Sequence, residues 1–345
     1  MTTPRPEQRQ PECSDCLEFD RRGFLGTLGV GAAVVGGLAP VSAFAAETAP
    51  AASTGAKPAE GLIRELYETL TSEQKQTLVY PWDHNANGDM PTRLMMVNRP
   101  HFGKKIGESY TKPQQELCQR ILRAICSGDD GYEKISRGGT FDGSGSFEGL
   151  GAVIFGEPSD GKKYSFVISG HHLTLRCDGN SEPGAAFGGP MYYGHSPHGY
   201  SPKNAYFYQT KRVMDVFGAL DEGHRKQAIV AGSNPGEQAK SVQFRPEGET
   251  RPGVSYAALS ADQRKLVEDV MRDVLGPYRK EDADEVMSIV KANGGLEKMN
   301  LAFYEDPKMD DNHRWHFWRL EGPGFVWNYR ILPHVHTFVH IANKV

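Results

Sequence analysis

The chain has 345 residues, 38% of them hydrophobic and 10% aromatic, with a formal charge of −4 at pH 7. That length buries a substantial core in one large or two modest domains. The slightly acidic balance and the lack of a Lys/Arg cluster exclude the basic surface that phosphate neutralisation needs, so nucleic acid is not an expected partner.

The first specific motif is FDRRGFLGTLGVGAAVVGGLAPVSAFAAETAP. Arg21 and Arg22 precede Phe24 and Leu25. A Gly-rich apolar run then reaches Ala39, and Ala43-Phe44-Ala45 has the small-x-small form of a cleavage site. The segment resembles a twin-arginine export signal, with Asp20 where Ser or Thr is more usual. It predicts a signal peptide over 1–45, a linker over 46–60 and one domain over 61–345 that is exported to the periplasm by the twin-arginine translocase. Cutting after Ala45 leaves a formal charge of −3 and no apolar run long enough to span a membrane. Such export carries folded proteins, which the resemblance links to cofactors inserted in the cytoplasm.

Cys13 and Cys16 leave with the signal, and Cys118, Cys126 and Cys177 remain. Cys118 and Cys126 are eight residues apart in a predicted helix, about 12 Å along its axis, too far to bridge each other. At most one disulfide, involving Cys177, is open to the chain, and core thiols are the expected state.

Structure is expected to begin near Gly61. Thr71-Ser-Glu-Gln74, Thr111-Lys-Pro-Gln114 and Ser260-Ala-Asp-Gln263 each have the capping-box spacing that satisfies free backbone N–H groups at a helix start. Asp221 caps a fourth helix, in which His224 reads as a solvated residue. Apolar spacings such as Leu117, Ile121, Leu122, Ile125 and Leu266, Val270, Val274 support helices after two of these caps.

Between the helical regions the periodicity becomes that of strands. Gly151 to Glu157, a Pro158 to Gly161 turn and the alternating stretch from Lys163 predict a hairpin. Next comes Gly170-His171-His172-Leu173-Thr174-Leu175-Arg176-Cys177, read as a strand in which the adjacent histidines point to opposite faces. Residues 183–203, FGGPMYYGHSPHGYSP at their centre, read as a long Gly/Pro loop carrying His195 and His198.

The C-terminal third holds four strand candidates, beginning at Leu301, Arg314, Phe325 and His334, that form an antiparallel meander. In the last, His334, His336 and His340 fall on one face with Phe338 between them. Val335, Thr337, Val339 and Ile341 then form the other face and are expected to be buried. The fold class is α+β: antiparallel sheet portions sharing a core, helices packed on them, and halves 61–178 and 211–345 as candidate duplicates.

These features together, Gly170-His171-His172-Leu173, the aromatic Gly/Pro loop, the helix starts at Leu70 to Lys75 and Leu259 to Arg264, and His334-Val335-His336-Thr337, resemble the bacterial domain-of-unknown-function family 3500. The likeness covers about Leu62 to Asn343. Family members often carry an acidic, Asn-containing segment before the C-terminal His-x-His. Here that stretch is WNYRILP, with Asn328 but without a carboxylate.

Neutral imidazole is the commonest protein ligand for zinc, copper and iron, and His at i and i+2 of a strand grips one ion at two points. The candidate metal ligands are His171, His172, His195, His334, His336 and His340. His334 and His336 with one of His171 and His172 form the expected set, and His195 is a fourth ligand or a substrate contact. If one ion is shared, the imidazole nitrogens must approach to roughly 3–4 Å. No catalytic residue is fixed, but Arg176, Arg330 and Glu157 are candidates, the arginines for a substrate carboxylate or phosphate, with Glu148 a further candidate base. The chain lacks G-x-S-x-G, H-E-x-x-H, P-loop and dinucleotide motifs. The expected function is therefore an exported metalloprotein, as a metal-dependent hydrolase or oxidoreductase acting on a small molecule. The alternative is a non-catalytic protein that binds a metal or small ligand.

Overall fold

The computed structural model describes residues 58–86, 90–232, 234–237, 239–246, 248–305 and 315–343. The expected signal peptide and most of the expected linker lie outside these residues. The described chain is α+β, with helices α1 (Pro58–Thr69), α2 (Ser72–Leu78), α3 (Ile106–Ser109), α4 (Lys112–Ile125), α5 (Gly128–Ser136), α6 (Phe207–Ala219), α7 (Glu222–Ala228), α8 (Ala261–Leu275) and α9 (Lys280–Ala292). The strands are β1 (Val79–Tyr80), β2 (Gly151–Gly156), β3 (Tyr164–Gly170), β4 (Leu173–Cys177), β5 (Met191–His195), β6 (Ile229–Val230), β7 (Val254–Ser255), β8 (Asn300–Glu305), β9 (Trp315–Gly322), β10 (Phe325–Arg330) and β11 (Val335–Ile341).

The capping chemistry sets the helix starts. Thr71 and Ser260 accept from the backbone of Gln74 and Gln263, and those glutamines accept in return from Thr71 and Ser260. Gln114 does the same for the Thr111 backbone. Two of these glutamines also tie helices together: Gln114 Nε2 donates to the Thr69 carbonyl at the end of α1, and Gln263 Nε2 to the Ala219 carbonyl at the end of α6. The first described helix begins at Pro58, three residues before the expected start near Gly61.

The described strands form one mostly antiparallel sheet, in the order β1-β2-β3-β4-β5-β11-β10-β9-β8-β6, with β7 on β8, so the expected sheet portions are continuous. The predicted hairpin and C-terminal meander are both present as antiparallel pairs. The order reads alike from either edge: β1 runs parallel to β2 and β6 parallel to β8, and three antiparallel steps follow on each side. The two sides meet in the antiparallel β5–β11 pair. The predicted long loop over 183–203 is thus interrupted by a central strand. Its tyrosines explain why: Tyr192 and Tyr193 alternate between two buried faces.

One sheet face carries the main core with the helices, including Ile154, Ile168, Leu320, Trp327 and Val339. The other is covered by loops and is unusually polar for buried surface. Its side chains hold the loops directly. Thr174 exchanges hydrogen bonds with the Val97 backbone, Arg176 donates to the carbonyls of Arg93 and Met95, and Arg319 and Asn328 donate to the Ser241 carbonyl. These bonds satisfy groups whose burial would otherwise cost about 1–3 kcal/mol each. Cys118, Cys126 and Cys177 are buried free thiols.

The two ends of the chain's helical layer are locked by a buried ion cluster. Arg279 donates to both carboxylate oxygens of Glu60 at 2.8 and 3.1 Å and to Asp282 at 2.7 Å. Removing one partner strands buried charge, at a cost of about 3–5 kcal/mol. Arg279→Met is therefore expected to lower the unfolding free energy by that amount in urea titration, with part recovered when Glu60→Gln and Asp282→Asn are added. A loss within about 0.5 kcal/mol, the range of an ordinary surface substitution, would show that the cluster is solvated.

Candidate functional site

Residues of β11 divide as the alternation requires. Val335, Val339 and Ile341 join the helix-side core, and Thr337 is buried with them. His336 and Phe338 face the loops, where Phe338 stacks on Tyr192 with ring centroids 4.8 Å apart and Tyr192 meets the His336 ring edge at 5.4 Å. His334 lies just before the strand and is buried as well.

The partner histidine is not on a strand. His171 and His172 form the two-residue turn between β3 and β4, closed by the Gly170–Leu173 pair. The expectation that they point to opposite faces fails for this reason, and their rings lie 3.9 Å apart. His172 has φ of +55°, uncommon for a residue with a Cβ. The β9–β10 turn is closed in the same way by Gly322 and Phe325, and there the corresponding position is Gly324, with φ of +75°. A histidine held where glycine fits better carries strain of order 1 kcal/mol, which is characteristic of functional sites.

His172, His334 and His336 converge through their Nε2 atoms, at 3.2 Å (172–334), 3.0 Å (172–336) and 2.9 Å (334–336). All three are buried. The approach depends on Gly194, which pairs with His336 on β11 and donates its N–H to the His172 carbonyl. A Cβ there would lie 2.3 Å from the Val335 carbonyl oxygen and 3.1 Å from the His336 ring. Metal–nitrogen bonds of 2.0–2.1 Å over these separations would give angles of about 87–106°. Such a tripod could hold an ion through three nitrogens.

Carboxylates orient two of the rings. His172 Nδ1 contacts Asp142 at 2.7 Å and His336 Nδ1 contacts Glu237 at 3.0 Å. Each carboxylate accepts Nδ1–H, which fixes the tautomer and turns the Nε2 lone pair inward, as in carboxylate–histidine–metal arrangements. Asp142 is itself fixed by the backbone N–H and hydroxyl of Ser196. Arg330 completes the site. Its Nε forms an ion pair with Glu237 at 2.7 Å, and its Nη2 lies 3.3 Å from His334 Nε2 and 3.1 Å from His336 Nε2.

Burial governs the electrostatics. It pushes the pKa of His334 down to about 3, aided by His172 and Arg330, and holds His172 and His336 well below the ordinary imidazole range. All three are neutral near pH 7, the form that binds metal. Burial alone would raise Asp142, but the neighbouring His171 ring, the hydrogen bond from His172 and the charge of Arg137 hold it well below the usual carboxylate range. Burial raises Glu237, opposed chiefly by Arg330.

The other expected residues are placed elsewhere. His171 sits beside Asp142 with Nδ1 3.5 Å away and accepting from the Gly143 N–H, and with Asp142 and His172 it forms a second group whose ligand atoms could share an ion. His195 ends β5 and accepts from the Ala205 N–H. His340 donates to the Val242 carbonyl and stacks on Phe244. Neither belongs to a group of ligand atoms able to share an ion among the described residues. Arg176 is a buried clamp on the 93–95 loop rather than a substrate contact. Glu157 is exposed in the β2–β3 turn and Glu148 is exposed before β2. Asp142, Glu237, Gly194 and Asn98, whose Oδ1 accepts from the His172 N–H at 2.6 Å, carry no motif that spacing could find. The Gly-rich run around Asp142 was the one available signal.

Burial also depresses the pKa of His340 to about 4. Because these folded-state values lie below the unfolded value near 6.5, the unfolded chain takes up protons first as pH falls. Their contribution to stability is full above about pH 6.5 and is lost as pH falls towards the folded-state values. In metal-free protein the Hε1 NMR signals of His340 and His334 are expected to titrate with midpoints of about 4 and about 3, and Tm to fall between pH 6.5 and 4. Midpoints near 6.5 would contradict the buried, neutral site.

No curated protein and no solved structure matches the chain significantly. A family model does, over residues 53–344. The chain belongs to the family described as protein of unknown function, DUF3500.

Proposed function

We propose that this protein is an exported metalloprotein with one transition-metal ion on His172, His334 and His336, acting as a metal-dependent hydrolase on a small molecule. The observation that carries the metal is the convergence of three neutral Nε2 atoms within 3.2 Å of one another. Lone pairs turned inward by Asp142 and Glu237 need a cation or a hydrogen-bond donor among them, a place that the Arg330 guanidinium takes beside His334 and His336 and that a metal ion would fill for all three. Two carboxylates behind the ligands and the strained turn at His172 point the same way.

Three protein ligands with open positions are the pattern of catalytic rather than structural sites. An ion held by His172, His334 and His336 would supply Lewis acidity and an activated water for hydrolysis of an ester, amide or phosphoryl centre. Zinc suits this chemistry, whereas copper or iron on the same imidazoles would support oxidation. The near-complete burial of the tripod favours a second reading, in which the ion is held without turnover.

Elemental analysis of the purified protein is expected to give about one transition-metal ion per chain. His336→Ala and His172→Ala should abolish stoichiometric metal, and Glu237→Gln should weaken affinity about 10–100-fold. His224→Ala, a variant of a residue paired with Asp221 outside the site, should leave metal content unchanged. A metal-free wild type grown with zinc, iron and copper would defeat the proposal. Metal without esterase, phosphatase or oxidase turnover would select the second reading.

Export rests on Arg21-Arg22 and Ala43-Phe44-Ala45. No helix among the described residues is long and apolar enough to cross a membrane. Replacing both arginines with Lys is expected to retain uncleaved precursor in the cytoplasm, and mature protein is expected to begin near Ala46. Unchanged export from cells lacking the twin-arginine translocase would refute this.

A further inference from the structure

Resting on the metal reading, we infer that the open face of the tripod binds an oxyanion, with one oxygen on the metal and another on the Arg330 guanidinium. The argument is one of charge and position. Around the tripod stand Asp142 and Glu237, each negative, Arg330, and Arg137, which donates to the His171 carbonyl through Nη2. The imidazoles are neutral, so among the described residues these four fixed charges cancel. A divalent ion then leaves the site with two uncompensated positive charges in a buried setting, where an unpaired charge is costly.

Position makes the demand specific. Arg330 Nη2 lies 3.1 and 3.3 Å from two ligand nitrogens, so an ion on those nitrogens is only a few ångströms from the guanidinium. Like charges that close disfavour each other unless an anion lies between them. Glu237 pairs with Nε of Arg330 and with Nδ1 of His336, and so fixes the guanidinium relative to one metal ligand. Displaced from the Nε2 atoms by the ion, the Nη2 edge meets whatever occupies the open positions. A planar guanidinium matches the oxygens of a carboxylate or phosphoryl group. The substrate class is therefore a small molecule bearing a carboxylate or a phosphate, and Arg330 is its anchor.

The test uses full-length mature protein loaded with cobalt(II) in place of the native ion. Inorganic phosphate, acetate and neutral imidazole are titrated while the cobalt d–d absorption is followed. Phosphate or acetate is expected to bind at the open face more tightly than imidazole does. Arg330→Gln should weaken oxyanion binding about 10–100-fold at unchanged cobalt stoichiometry and leave imidazole binding intact. Arg330→Lys should fall between. Equal affinity in wild type and Arg330→Gln, or equal loss for imidazole, overturns the inference. Should Arg330→Gln not fold, wild-type protein that prefers imidazole over both oxyanions overturns it alone. Failure of the wild type to take up cobalt defeats the metal reading itself and this inference with it.

Discussion

The β5–β11 pairing is the contact on which the rest of the molecule depends. It joins two runs of strands into one sheet, and it sets Gly194 opposite His336. Because Gly194 also bonds the His172 carbonyl, the same short strand fixes two of the converging histidines, which are 164 residues apart in the chain. A slip of one residue would turn every β11 side chain to the opposite face. His336 would enter the helix-side core, and Val335 would take its place beside His172. Register here is held by burial on both faces, so the geometry of the site and the stability of the sheet are one constraint.

That constraint explains why a buried sheet face is polar. A loop-covered face would ordinarily be closed with apolar side chains, and part of it is, around Val153, Phe155 and Val167. Nearer the centre Thr174, Arg176, Arg319 and Asn328 hold loop carbonyls instead. These bonds position the two covering segments. The first brings Asn98 to the His172 backbone, and the second brings Glu237 to His336 and Arg330. A polar face thus orients the carboxylate and amide groups that in turn orient the ligands.

The electrostatic state of the site follows from burial more than from any single pair. Desolvation keeps the imidazoles uncharged; imidazole contacts and Arg137 hold Asp142 in its charged form, and Arg330 opposes the rise that burial imposes on Glu237. Neutral ligands in front of fixed negative charges suit a cation, and a guanidinium beside them suits an anion on that cation.

Much of the local structure was legible in the sequence. Capping boxes at Thr71, Thr111 and Ser260 announced three helices because N-cap hydrogen bonds span only three residues. Alternation placed the C-terminal meander and the facing of Val335 and Val339, since a strand's side chains alternate whatever it packs against. The likeness carried by Gly170 to Leu173 and by His334 to Thr337 drew attention to the histidines that meet. Three things required the tertiary structure. The turn at His171-His172 was hidden because only backbone dihedrals separate a turn from a strand in so short a run. Strand β5 was hidden in a segment rich in Gly and Pro, where pairing on both sides overrides weak local propensity. The meeting of His172 with His334 and His336, and of Asp142 and Glu237 with those rings, depends on long-range register and loop placement, which no local spacing encodes.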